Sequence, residues 1–134
     1  MEQRQYQRAL GPLAVKWCTG SGEAIGRWIA GAPPTGPVHE PEPDVNFGAG
    51  GLAFDGPDQP REGALLFLEL AVPGGPPFRG AGLVLRVAPV PIDERDNPYR
   101  ALWRVAVKFV VLAKGGSEAL DAYTQSLRQA NGPA

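Results

Sequence analysis

The sequence predicts a mainly β domain, in which five or six antiparallel strands form a small barrel or a strongly bent sheet closed by one C-terminal helix. Three observations support this fold class. Several apolar runs alternate with period two, the pattern of half-buried strands. Gly and Pro, with 18 and 15 of the 134 residues, separate these runs as they do in turn-rich β proteins. Only the last segment changes to a helical period.

Five segments carry the strand pattern. On the fourth, Leu83, Leu85 and Val87 are assigned to one face and Arg86 to the other. On the fifth, one face carries the residues Trp103, Val105, Val107, Phe109 and Val111, and the other carries Arg104 and Lys108. A Pro-Gly-rich turn at 73–77 joins the third and fourth segments as a hairpin. We therefore expect strands over 13–18, 51–55, 64–72, 79–88 and 101–112.

The segment between the first two strands has no single pattern. Ile25, Trp28 and Ile29 make 24–30 compatible with a further strand. The prolines of 32–43 cannot donate to a sheet ladder, so an irregular loop or an edge segment is expected there.

The C-terminal segment predicts one amphipathic helix over 116–130. Ser117 is the expected N-cap, and acidic residues occupy the first turn. Gly132 and Pro133 stop the helix. Its apolar positions recur at helical spacing at Leu120, Tyr123, Leu127 and Ala130.

Composition limits the classes of function. A chain of 134 residues suits one domain, 1–134, and its formal net charge of −1 argues against binding DNA or RNA through a basic surface. Cys18 is the single cysteine, which excludes an intrachain disulfide and favours a reducing cytoplasm. No apolar stretch approaches the ~20 residues of a membrane span. We expect a soluble cytoplasmic domain; the oligomeric state is not indicated.

Catalysis is not indicated either. His39 is the single histidine, and neither it nor Cys18 belongs to a spacing typical of metal ligands. Asp44, Asp55 and Asp58 flank a glycine-rich turn and could pair as acid and base, although a solvated loop explains them better. We therefore expect no catalytic residues, no metal and no cofactor.

Two stretches suit ligand recognition. Arg4 and Arg8 lie four apart, so their guanidinium groups share one side of a helical or extended tail and can donate to a phosphodiester or to guanine O6 and N7. The alternative is a solvated tail. The second stretch, Asn46 to Gly51, offers an amide that donates and accepts, beside glycines that permit positive φ and close approach of a ligand. The alternative there is a plain turn between strands.

In this order, the two stretches, the strands and the closing helix resemble the PilZ domain family, bacterial receptors for the second messenger cyclic di-GMP. That family pairs an Arg-x-x-x-Arg tail with an Asp/Asn-x-Ser-x-x-Gly turn. Arg4 and Arg8 match the first motif, and Asn46 and Gly51 match the ends of the second. Gly48 stands at the serine position, so one hydroxyl contact, worth roughly 0.5–1.5 kcal/mol, is absent.

The resemblance implies a six-stranded antiparallel β-barrel over 12–112, an N-terminal tail over 1–11 and the C-terminal helix over 116–130. It also implies that cyclic di-GMP binds at Arg4, Arg8, Asn46, Gly48 and Gly51. Binding would change the shape of an adaptor that signals to an unidentified downstream protein, in motility, adhesion or exopolysaccharide control.

Other functions remain open from the sequence. A degenerate PilZ-like barrel could be a protein-interaction module that binds no nucleotide, with its contact surface on the Pro-rich insertion or the final helix. A barrel that binds single-stranded nucleic acid needs a basic groove with interleaved aromatic residues, which the near-neutral charge does not favour. A hydrolase is the weakest alternative.

Overall fold

A computed structural model describes residues 8–131, which form one antiparallel sheet and two α-helices. Short 3₁₀ segments precede the first helix, at Gly22–Ala24, and follow the sixth strand, at Ile92–Glu94. The helices are α1 (Ile25–Ile29) and α2 (Gly116–Asn131). The strands are β1 (Arg8–Pro12), β2 (Ala14–Thr19), β3 (Asp44–Gly48), β4 (Gly51–Gly56), β5 (Leu65–Ala71), β6 (Phe78–Pro89) and β7 (Trp103–Leu112).

The sheet has the strand order β1-β3-β4-β7-β6-β5-β2, and every neighbouring pair is antiparallel. Its two edge strands, β1 and β2, are consecutive in the chain and separated only by Leu13. Because one residue spans only a few ångströms, the sheet must curve until its edges meet at Leu13. The mainly β, barrel-like class with a C-terminal helix is therefore confirmed. The strand count differs: the described residues form seven strands, and the sheet is not closed by a ladder between its edges.

The interior of the curved sheet holds the main core. On β5, Leu66, Leu68 and Leu70 are fully buried inside, while Phe67 between them faces the outer wall. Both faces of β5 are therefore covered, which explains why its sequence is an almost continuous apolar run. Leu120 and Leu127 of α2 pack onto the same core.

The predicted strand at 24–30 is wrong, because this segment forms α1 after a 3₁₀ turn. Its Trp28 lies flat on the outer face of the sheet, where its ring stacks on Phe67 at 5.1 Å and its Nε1 donates to the Gly80 carbonyl at 2.9 Å. A Cβ at Gly80 would overlap Leu112 and the Val111 carbonyl, so this glycine is needed where β6 approaches β7. The short helix thus covers the wall formed by β2, β5 and β6.

Arg79 holds the end of α1 against the sheet. Its guanidinium lies 3.7 Å from the centroid of the Trp28 ring, a cation–π geometry. One of its terminal nitrogens donates to the carbonyls of Trp28 at 2.9 Å and Ala32 at 2.5 Å. These carbonyls lie at and just beyond the C-terminal end of the helix, where a cation is favoured.

The Pro-rich segment 32–43 is irregular, as expected, apart from one β-bridge. The His39 amide donates to the Trp17 carbonyl at 2.8 Å, and the Trp17 amide donates back at 2.9 Å. The segment therefore covers part of the free edge of β2.

The predicted face of β6 is wrong because the strand contains a β-bulge at Leu85. Val84 pairs with Val107, but Arg86 rather than Leu85 pairs with Ala106. As a result Val84 is buried, whereas Leu83 and Leu85 are 38% and 55% exposed. Val87 then returns to the core side.

A second bulge changes the end of β7. Ala81 pairs with Val111 and Gly82 with Phe109, so Val110 is the extra residue and is 57% exposed. Val111 consequently packs on the outer cluster around Trp28, not on the inner face that Phe109 shares. After a bulge, every later residue of the strand faces the side opposite to the one that regular alternation predicts. The alternating sequence pattern does not reveal where a bulge occurs.

The helix α2 begins at Gly116, so the predicted N-cap role of Ser117 is wrong. The Gly115 carbonyl accepts the first helical hydrogen bond, from Ala119 at 3.0 Å. Gly115 has φ of 88°, a value that glycine adopts without strain. No helix among residues 8–131 is both long enough and apolar enough to span a bilayer.

Tyr123 fastens α2 to the edge strand β1. Its hydroxyl donates to the Pro12 carbonyl at 2.6 Å, and its ring stacks on Phe47 at 5.1 Å. Burial, with a smaller contribution from the Asp44 charge, raises the pKa of Tyr123. The neutral phenol is therefore favoured in the folded state.

We predict that Tyr123→Phe lowers the free energy of unfolding by about 0.5–1.5 kcal/mol at pH 8, because the bond to Pro12 is lost. The variant should also lose less stability than the wild type as the pH rises above about 10, where the unfolded phenol ionises before the folded one. Urea unfolding between pH 8 and 11.5 measures both effects. Tyr99→Phe, at a position that is 97% exposed, is the control. Parallel pH profiles for wild type and Tyr123→Phe would contradict this role.

Candidate functional site

The outer face of β1 and β3 brings the two sequence motifs together. Antiparallel pairing places Arg8 opposite Gly48 and Leu10 opposite Asn46. Arg8 Nε donates to Asn46 Oδ1 at 2.9 Å, and a terminal nitrogen lies 3.5 Å from the Asn46 carbonyl oxygen. Two stretches 38 residues apart in sequence therefore meet in one side-chain contact. Arg4, the other arginine of the first motif, lies outside the described residues.

Arg8 belongs to the edge strand β1, although the sequence assigns it to the N-terminal tail. The hydrogen-bonded ladder with β3 holds its backbone from Arg8 to Pro12. Its side chain is half-buried. Its position on the site face is therefore set by the sheet register as well as by the contact with Asn46.

The glycine-rich turn is the hairpin between β3 and β4. Its last ladder pair is Gly48 with Gly51. The turn does not use the positive φ that its glycines permit, since among the described residues only Gly31, Gly63, Gly74 and Gly115 have it. Gly51 is needed for a different reason: a Cβ at this position would overlap the Val107 carbonyl oxygen of β7. Gly48 and Gly51 are both buried in the folded domain.

The site face continues across β4 and β7 to β6. One row of paired residues runs Arg8, Gly48, Gly51, Lys108, and the next runs Asn46, Ala53, Ala106, Arg86. Residues paired across neighbouring strands point to the same side of a sheet. The small residues in the middle of the two rows, Gly48, Gly51, Ala53 and Ala106, form a flat floor. Each row ends in cationic or amide side chains.

One margin of this floor is set by an ion-pair network. Arg104 donates from Nε and a terminal nitrogen to the two oxygens of Asp55 at 2.9 and 3.0 Å, and to Glu94 at 3.1 Å. The hydrogen bond to Asp55 is the main cause that raises the pKa of Arg104. Because these groups are partly exposed, the network adds at most about 1 kcal/mol to stability. Its main effect is to neutralise the charge of Arg104.

Two adjoining cavities occupy the face. The first, of about 280 Å³, is lined chiefly by Leu10, Asp44, Asn46, Ala53, Asp55 and Arg104. The second, of about 450 Å³, lies toward β6 and shares Ala53 and Arg104 with the first. Together they present donors, carboxylate acceptors and a smooth apolar floor, which suits recognition of a planar polar ligand.

The residues considered for catalysis do not converge. Burial raises the pKa of the Cys18 thiol, which disfavours the reactive thiolate. Asp55 binds Arg104, whereas Asp58 lies 3.1 Å from His39 Nδ1. Residues 8–131 contain no group of three or more His, Cys, Asp and Glu side chains placed to hold a metal ion.

Sequence reasoning missed the part of the site formed by β6 and β7. The alternation of β7 does place Arg104 and Lys108 on the outer face, which was a usable signal. The sequence also assigns Arg86 to the face opposite Val87, as the structure has it, but the bulge at Leu85 moves Leu83 and Leu85 away from the face predicted for them.

Comparisons with known proteins identify the fold. No family model matches the chain, and no curated protein is significantly similar in sequence.

The Bacillus subtilis inhibitor of motility MotI/DgrA superposes with a TM-score of 0.65 at 20% identity, over 100% of this chain and 55% of that one. This chain thus spans about half the length of that protein. The PilZ domain of Escherichia coli YcgR, solved with cyclic di-GMP, superposes with a TM-score of 0.65 at 13% identity, over 97% and 95% of the two chains. The chain has a PilZ-like fold, as the resemblance implied.

Proposed function

We propose that this chain is a bacterial PilZ domain receptor that binds cyclic di-GMP on the outer face of β1, β3 and β4 and signals to a protein partner. The observation that carries the proposal is the contact between Arg8 and Asn46, which joins the two motif stretches. The likeness of the fold to a PilZ domain solved with cyclic di-GMP supports the class of ligand.

The chemistry of the face matches guanine and phosphate. Guanine offers acceptors at O6 and N7 and a donor at its N2 amino group. The fork of Arg8 can donate to the O6/N7 edge or to a phosphate, and the Asp44 carboxylate in the adjoining cavity can accept from the amino group. Arg4 would supply the second fork. Asn46, Gly48 and Gly51 form the other side of the site, where the hairpin carries no side chain larger than that of Ala49.

Arg8 is well placed for such binding before the ligand arrives. The ladder of β1 fixes its backbone, and the Asn46 amide restrains its guanidinium. Restraining a long side chain in advance lowers the entropy that is lost on binding.

A signal from the ligand can reach α2 through β1. Arg8 and Pro12 lie at the two ends of this short strand, and Pro12 accepts the hydrogen bond from Tyr123. A ligand bound by Arg8 therefore acts on the strand against which α2 packs. We propose that a cytoplasmic partner in motility, adhesion or exopolysaccharide control binds the altered surface, and that the domain binds without catalysing a reaction.

Calorimetric titration of cyclic di-GMP tests the proposal. We expect micromolar binding by the wild type and a loss of about tenfold or more in Arg8→Ala, because a charge-assisted contact disappears. Arg27→Ala is the matched control, since Arg27 is an exposed arginine of α1, the helix that covers β2, β5 and β6. A flat wild-type titration at high protein concentration would refute nucleotide binding and favour the protein-interaction module.

Gly48 allows a second, independent test. We predict that Gly48→Ser binds cyclic di-GMP up to about tenfold more tightly than Gly48→Ala, since the hydroxyl restores one hydrogen bond. The alanine variant carries the same added Cβ, so the comparison isolates the hydroxyl. Equal affinities for the serine and alanine variants would show that this position does not contact the ligand.

A further inference from the structure

The second cavity of the site face lies where β7 and β6 pair. Its volume is about 450 Å³, and its lining includes Ala53, Arg86, Ala88, Pro89, Arg104 and Ala106. Since Ala53 and Arg104 also line the cavity beside Asn46, the two cavities form one continuous surface.

The β-bulge places Arg86 on this surface. Val84 is buried in the core, and in a regular strand a residue two positions later would point the same way. The extra residue Leu85 reverses the phase, so Arg86 pairs with Ala106 on the outer face. Bulges commonly redirect a side chain toward a functional surface. Here the bulge keeps a guanidinium out of the core and turns it toward the cavity.

Arg86 is the uncompensated cation of this cavity. The charge of Arg104 is offset by Asp55 and Glu94. Within residues 8–131, Arg86 makes no salt bridge and no side-chain hydrogen bond, and it is exposed. An unpaired guanidinium beside a cavity can bind an oxyanion without first breaking another interaction.

The spacing suits one ligand with two anionic, planar halves. Asn46, Ala53, Ala106 and Arg86 are successive partners on four adjacent strands. Three strand spacings amount to about 14 Å, and the curvature of the sheet shortens this distance. Between the two ends only the methyl groups of Ala53 and Ala106 project, so a flat ring system can lie on them.

We propose that Arg86 forms a second anion subsite, which binds the guanosine phosphate half of cyclic di-GMP that points away from Arg8. This inference rests on the proposed function and extends the site to β6 and β7. With two subsites, the face would select the cyclic dinucleotide over a mononucleotide. The dinucleotide reaches both subsites, whereas a mononucleotide occupies only one.

Calorimetric titration of cyclic di-GMP into Arg86→Ala and Ala106→Leu tests the subsite. We expect each variant to bind about tenfold or more weakly than the wild type, the first through loss of a charge-assisted contact and the second through filling of the cavity. Ala106 does not line the cavity beside Asn46, so Ala106→Leu leaves that subsite open. Arg86→Lys, which keeps the charge but not the fork, should lose less affinity than Arg86→Ala.

The controls separate the outcomes. Arg27→Ala removes an exposed arginine of α1 and should bind as the wild type does. Equal weakening by Arg27→Ala and Arg86→Ala would indicate a general charge effect and overturn the subsite. Wild-type affinity in both Arg86→Ala and Ala106→Leu would overturn the subsite alone. A flat wild-type titration would overturn the proposed function, and the subsite with it.

Discussion

The architecture depends on one short connection. Leu13 alone separates β1 from β2, although these strands occupy opposite edges of the sheet. The sheet must therefore curve until its edges meet, and the curvature creates an enclosed interior. Leu13 itself is buried there, and its amide donates to the Pro43 carbonyl at 3.1 Å. The antiparallel ladder between β1 and β3 in turn brings Arg8 to Asn46.

The curved sheet has two outer walls with different roles. The wall of β2, β5 and β6 is apolar around Phe67 and is covered by α1, whose Trp28 is buried against it. The wall from β1 to β7 carries small and polar residues, and no helix covers it among the described residues. The segment that contains α1 thus completes the packing of one wall.

The sequence predicts the elements that are long and strongly patterned. The strands β5 and β7 and the helix α2 follow from their periodicity, because each buries a regular apolar face. Periodicity does not predict short elements, nor the β-bulges that change which face of a sheet a residue occupies. The single turn of α1 is too short to show a helical period, and the bulges at Leu85 and Val110 leave no trace in the alternation.

Some properties of the candidate site also follow from the sequence, and others do not. The resemblance selects Arg8, Asn46, Gly48 and Gly51, and the fold brings these four positions to one face. The close approach that requires Gly51 depends on how β7 packs beside β4, which the local sequence does not show. The alternation does assign Arg86 to a polar face, but that this face adjoins Ala106 of β7 follows from the sheet register. The role of Arg4 and the domain limits 1–11, 12–112 and 116–130 remain predictions.

We propose that cyclic di-GMP binds the wall from β1 to β7, and not the wall covered by α1. Amide chemical shifts of the ¹⁵N-labelled chain, followed during a titration with this ligand, distinguish the two walls. We expect the largest changes on β3, β4 and β7, around Asn46, Gly51 and Ala106, and nearly constant shifts around Trp28 and Phe67. Changes centred on Trp28 and Phe67, or no change on the wall from β1 to β7 at saturating ligand, would refute this binding surface.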